Sequence, residues 1–172
     1  MVTGTAAALR AAVGAVPDPE IPVLSIADLG VLRDVTVSDD GHVDVVITPT
    51  YSGCPAMDTI RADIEAVLAR RGYADVTVRT VLAPAWTTDW MTEEGRRRLR
   101  EFGIAPPGRR PERTGPVPVE LGMRAAGTTA AVECPRCGSG DVRLLSRFSS
   151  TACKALYSCN ACREPFDHFK AI

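Results

Sequence analysis

The sequence predicts an α+β protein in two parts, a small mixed α-β-β-α-β domain followed by a four-cysteine ribbon. Three observations lead there. Residues 1–103 alternate helical and strand-like apolar periods. Residues 104–132 hold five prolines and four glycines with no sustained period, which reads as a linker. Residues 133–172 then carry five of the six cysteines.

The elements follow in order. Leu9, Val13 and Val16 recur at helical spacing in an alanine-rich stretch from Thr5, an available N-cap, to Val16. Pro17, Pro19 and Pro22 fix φ at three of six positions, so the helix gives way to a stiff loop. Asp28-Leu29-Gly30 reads as a turn. Val31–Val37 and Val43–Thr48 are rich in β-branched residues and flank Ser38-Asp39-Asp40-Gly41, which predicts a hairpin. A second helix is expected from Pro55 to about Arg71, with Met57, Ile60, Ile64, Val67 and Leu68 on one face and Gly72 ending it. The run 74–82 reads as a half-buried strand, and Thr92-Glu93-Glu94 opens a basic helix ending near Gly103. The loop between them carries Trp86 and Trp90, both expected to pack on the core.

Composition narrows the function classes. Lysine and arginine number 20 against 21 acidic residues, a net charge of −1, which argues against a general nucleic-acid binder. Charged residues or prolines interrupt every apolar stretch before the roughly 20 residues a bilayer requires, and the start lacks a basic leader, so a cytoplasmic location with no membrane partner is expected. Seven arginines between 96 and 113 face two glutamates. Such a segment is usually solvated, and it can also contact an acidic partner or a phosphate.

Cys134-Pro135-Arg136-Cys137 and Cys159-Asn160-Ala161-Cys162 are two C-x2-C pairs separated by 21 residues, close to the spacing of a four-thiolate zinc ribbon. A tail this short cannot fold on apolar burial alone, so a metal would supply most of its folding free energy. Rubredoxin-type iron, a cluster or two disulfides remain alternatives. Zinc leads because a closed all-sulfur site suits a structural metal. Cys153 is the extra thiol. Its simplest role is a small buried packing residue, and the sharper one is a second metal-handling thiolate activated by Lys154. His168 lies too far beyond Cys162 for a ligand and reads as a surface or packing residue.

Cys54 precedes Pro55, which places its thiol at or near the N-cap of the second helix. There the helix N-terminus should lower its pKa and make it a nucleophile or soft-metal ligand; packing against the sheet is the alternative. A thiol hydrolase would need a histidine base, and the chain has only His42 and His168. Asp18, Glu20 and Asp28 are secondary candidates for acid/base or ligand roles, although carboxylates beside prolines and turns more often cap loops.

Asp18-Pro19-Glu20-Ile21-Pro22-Val23, Ser25-Ile26-Ala27-Asp28-Leu29-Gly30 and Gly53-Cys54-Pro55 resemble the metal-sulfur cluster assembly family, which includes bacterial SufT-like proteins and eukaryotic iron-sulfur targeting factors. The tail, with Cys134-Pro135-Arg136-Cys137, Ser150-Thr151-Ala152-Cys153-Lys154-Ala155-Leu156-Tyr157 and Glu164-Pro165-Phe166-Asp167, is similar to the D-subunit family of bacterial phenylacetyl-CoA epoxidases. The resemblance implies a non-enzymatic accessory role in phenylacetate catabolism, assisting maturation or delivery of an iron-sulfur or di-iron centre. The partners implied are the epoxidase oxygenase and reductase subunits and a second copy of the chain as a homodimer. It assigns Cys54 as the cluster or thiol candidate, the four ribbon cysteines as zinc ligands, and a transient iron-sulfur cluster as a further cofactor. The alternative is a non-catalytic adaptor holding the oxygenase complex together. Consistently, the chain lacks the Glu-x-x-His pair of helical di-iron sites.

Overall fold

The computed structural model describes residues 6–108 and 132–171. They fall into two compact units, the first ending at Phe102 and the second running from Gly103 to Ala171. The predicted cap Thr5 and most of the predicted linker lie outside the described residues.

In the first unit α1 (Ala6–Gly14) precedes β1 (Leu32–Val37), β2 (Val43–Ile47), α2 (Ala56–Ala69), β3 (Val76–Thr80), a short 3-10 turn (Thr88–Trp90) and α3 (Glu93–Phe102). The sheet order is β1-β2-β3. The hairpin pair is antiparallel, with a bulge between Leu32 and Asp34, while β3 runs parallel to β2 from Val43↔Val76 to Ile47↔Thr80. A parallel pair needs a crossover, and α2 is that crossover. Alternation on β2 buries Val43, Val45 and Ile47 completely, and four-residue spacing on α2 buries Ile60, Ile64 and Leu68. Each such side chain contributes about 1.5–3 kcal/mol by leaving water. Gly72, at φ +86°, turns the chain after α2 and returns its amide to the Ala69 carbonyl at 2.9 Å.

The residues beyond β3 close over the loop that precedes β1. Trp86 is 4% exposed and its Nε1–H donates to the Leu29 carbonyl at 2.9 Å. Gly30, at φ +71°, lies so close to Trp90 that an added Cβ would sit 2.6 Å from the Trp90 carbonyl oxygen, so only glycine fits. The two tryptophans differ from the shared core role expected of them: Trp90 is only half-buried, with the Arg33 guanidinium 3.6 Å over its ring. The arginines of α3 are largely occupied. Arg97 pairs with Glu94 and Glu101, and Arg98 with Glu94 and Asp28.

The second unit holds β4 (Ile104–Ala105), β5 (Val142–Ser146), β6 (Lys154–Cys159) and β7 (Pro165–Phe169) in the sheet order β4-β7-β6-β5. Two of these strands were not expected. Ile104–Ala105, read as the start of the linker, pairs in parallel with β7 at Asp167 and His168. β7 lies in a segment to which the sequence reading assigns no strand, and Pro165 opens it. Proline is tolerated at the first residue of a strand, and Phe166 and Phe169 bury there at 4% and 1% exposure. Among the described residues no helix is long and apolar enough to cross a membrane.

Candidate metal centre and thiol site

The two cysteine pairs sit in matching turns. In the first, the Gly138 amide returns to the Cys134 carbonyl at 2.9 Å, and in the second the Arg163 amide returns to the Cys159 carbonyl at 3.0 Å. The residue after each second cysteine has positive φ, +75° at Gly138 and +67° at Arg163, and each such twist wraps the backbone around the sulfurs. The Cys162 amide points at the Cys159 sulfur at 3.5 Å.

These turns bring Cys134, Cys137, Cys159 and Cys162 together with all four sulfurs within 4.8 Å of one another. The Cys134–Cys162 and Cys137–Cys159 sulfur separations are 3.7 and 3.6 Å. A tetrahedron with metal–sulfur bonds of about 2.3 Å has edges of about 3.8 Å, whereas a disulfide requires about 2.05 Å. The quartet therefore fits a four-thiolate metal site and not two disulfides, and its all-sulfur donor set fits zinc. The Cys162 amide, with the other thiols, draws Cys159 down to about 7. For Cys162 the Glu164 amide pulls downward, but burial and the three other cysteines outweigh it and push the thiol up to about 12. Four thiols this close cannot all ionise alone, and a divalent cation removes that conflict.

Cys153 does not join the quartet. It is 5% exposed, with the Thr151 hydroxyl 3.0 Å from its sulfur, while the Lys154 ammonium reaches the Asp167 carboxylate at 3.4 Å. The buried Lys154 ammonium thus has a carboxylate partner of its own. His168 is also not a ligand: its ring stands edge-on to Tyr157 at 5.5 Å, and burial lowers its pKa to about 4.

Cys54 lies in the first unit, near the start of α2 as expected. Pro55 is the N-cap of α2, so Cys54 stands one residue before it. Burial pushes the half-buried thiol up from its ordinary value of 9.0, and the Glu20 and Asp18 carboxylates raise it further against hydrogen bonds from the Ala56 amide and the Tyr51 side chain. The helix end is outweighed by burial and two negative neighbours. The structure thus brings the sequence-predicted residues Cys54, Glu20 and Asp18 into one electrostatic neighbourhood. Asp18 has a structural task as well. Its Oδ1 accepts from the amides of Glu20 and Ile21 at 2.9 and 2.8 Å, which shapes the proline-rich loop. Among the described residues no set of three metal-ligating side chains other than the ribbon quartet is close enough to share an ion.

Asp28 is taken up structurally. Its carboxylate accepts from the Ser25 amide and hydroxyl, from Thr92 Oγ1 and from Arg98, tying the turn before β1 to α3. Sequence reasoning had no signal for this role, because Thr92 and Arg98 lie more than sixty positions away. The shallow depression beside it has its charged lining side chains already engaged, Arg10 with Asp34 and Arg98 with Asp28.

Comparison with known proteins agrees with both units. Residues 6–80 match the family described as iron-sulfur cluster assembly protein, and residues 121–170 match the PaaD zinc beta ribbon domain. A protein of Escherichia coli (strain K12), provisionally named the D-subunit of 1,2-phenylacetyl-CoA epoxidase, is 49% identical over 91% of this chain and 87% of its own length. A Porphyromonas gingivalis protein named Fe-S protein maturation auxiliary factor is 41% identical over 45% of this chain and 73% of its own. A solved Bacillus anthracis structure titled as a DUF59 domain superposes with a TM-score of 0.50 at 30% identity, covering 53% of this chain and 87% of that one. Two matched regions that meet these two separately built units, together with a relative spanning nearly the whole chain, show that it belongs to the D-subunit family of phenylacetyl-CoA epoxidases, in which an iron-sulfur cluster assembly domain is joined to a zinc ribbon.

Proposed function

We propose that this chain is a non-catalytic accessory factor of a phenylacetyl-CoA epoxidase, assisting maturation or delivery of an iron-sulfur or di-iron centre in the oxygenase or reductase. The observation that carries the reading is the half-buried Cys54 thiol beside Glu20 and Asp18, in the part of the chain that matches the iron-sulfur cluster assembly family. A thiol held protonated by its surroundings is stable at rest and becomes a thiolate ligand once a cation offsets the two carboxylates. With no further ligand set around it among the described residues, Cys54 suits brief contact with a cluster or a client better than permanent storage. The ribbon serves as a fixed structural element, its four sulfurs matched to a closed tetrahedral metal.

The test is co-expression of the Cys54→Ser chain with the epoxidase components, followed by iron and acid-labile sulfide analysis of each purified component. Lower iron in one client with the ribbon's zinc retained supports the reading. Normal client iron with an epoxidase complex that falls apart when residues 134–172 are removed would replace it with the adaptor role.

A further inference from the structure

The free edge of the ribbon sheet carries a feature that metal binding does not use. β5 is the terminal strand in the order β4-β7-β6-β5, so one side of its backbone pairs with β6 and the other meets no strand among the described residues. Open edges of this kind attract further strands, and native proteins usually blunt them. Here the edge is apolar. Leu144, Leu145 and Phe148 are 44%, 46% and 65% exposed, three of the five large exposed hydrophobic residues among those described. The Phe148 ring is held in place, with the Lys170 ammonium 4.4 Å from its centre and donating to the Arg147 carbonyl at 3.3 Å.

The charge around this edge is of one sign. Arg143 and Arg147 are exposed and make no ion pair with a described residue, and Lys170 adds a third cation. The nearby acids are engaged with other partners. Asp141 accepts from the Asn160 side chain at 2.7 Å, and Asp167 is engaged by Ser149 and Lys154. A second copy paired antiparallel about Leu144 and Leu145 would gather four arginines on one short ladder with no acid between them, and like charges across a ladder are destabilising. Single-stranded nucleic acid is also poorly served, because the six basic side chains of residues 132–171 meet four acidic ones and the −2 of a four-thiolate zinc.

We infer that the β5 edge is a docking strand for an extended segment of a partner protein that alternates acidic and apolar residues. Its backbone would continue the ribbon sheet, its apolar side chains would cover Leu144, Leu145 and Phe148, and its carboxylates would meet Arg143, Arg147 and Lys170. The bulge between Leu144 and Ser146 interrupts the regular ladder to β6 and limits the pairing to a short segment. This surface is independent of Cys54, so its failure would leave the cluster-handling role standing.

The probe is a fluorescent capped peptide of alternating glutamate and valine, titrated into the full-length zinc-loaded chain. Saturable binding that weakens with salt, and weakens roughly tenfold or more in the Arg143→Ser/Arg147→Ser double variant, is the expected result. A second variant, Leu144→Thr/Leu145→Thr, keeps strand propensity and should also lose binding; unchanged zinc content in both variants separates a lost surface from a lost fold. Three outcomes would overturn the inference. They are no saturation by about 1 mM peptide, equal binding of the matched lysine-valine peptide, and displacement of the bound peptide by oligothymidylate or by self-association of the chain.

Discussion

In the first unit the sheet is closed by aliphatic side chains: Val43, Val45 and Ile47 of β2 and Ile60, Ile64 and Leu68 of α2 are at most 1% exposed. In the second, one buried cluster is Ala105, Val132, Cys134, Cys159 and Phe166, so two of its five members belong to the cysteine quartet. Both units build small sheets, yet only the first has enough aliphatic surface to hold one together. The first can therefore leave Cys54 out of its core as a half-exposed group, whereas the second commits four sulfurs to being a fold. The contrast follows from size, since a tail this short lacks the apolar surface to fold by burial alone.

The largest expected effect tests that division directly. Chelation of the metal, or Cys159→Ser, should unfold the ribbon, because structural zinc supplies roughly 10–16 kcal/mol of apparent binding free energy in small zinc domains. Backbone NMR signals of residues 6–102 should survive while those of 132–171 collapse. If both sets collapsed together, the two units would not be energetically separate.

The converse substitution is Ile64→Ala, at a position with no exposed surface. It should cost the first unit about 2–5 kcal/mol through lost burial and the cavity left behind. Denaturant titration should show that loss in the first unit's transition, with zinc content unchanged.

A smaller effect concerns pH. Burial lowers His168 to about 4, below its ordinary 6.5. Between those values the unfolded chain binds the proton and the folded one does not, so the contribution is fully present above 6.5 and is lost as pH falls toward 4. Replacing His168 with glutamine should remove on the order of 1–3 kcal/mol of the ribbon's acid sensitivity. The difference between the two proteins' unfolding curves at pH 7 and pH 5 measures it, since thiolate protonation is common to both.

The smallest effect on stability falls at Cys54. Glu20→Gln removes a negative neighbour that raises the Cys54 thiol, so that thiol should ionise at lower pH and be alkylated faster near pH 8, with little change in melting temperature. Mass-spectrometric alkylation rates at Cys54 check this. An unchanged rate would mean that the carboxylate does not reach the sulfur.

The sequence carried most of the local structure. Periodicity located α1, the hairpin, α2 and β3 because each has one apolar face and a breaker at its end, such as Gly41 or Gly72. The cysteine quartet was legible because two C-x2-C turns at ribbon spacing bring their sulfurs to one point. What sequence could not show was pairing at a distance. Ile104–Ala105 is too short to signal a strand and becomes one only through β7, while Asp28 finds its role only when Thr92 and Arg98 fold back upon it. The lowered pKa expected of Cys54 fails for the same reason. The helix end next to it is local and visible in the chain, but burial and the carboxylates of Glu20 and Asp18 arrive from elsewhere and outweigh it. Turn chemistry and periodicity act over a few residues, so sequence determined most of the elements and the two cysteine turns. Desolvation, strand pairing and charge act through space, and those were decided by the tertiary structure.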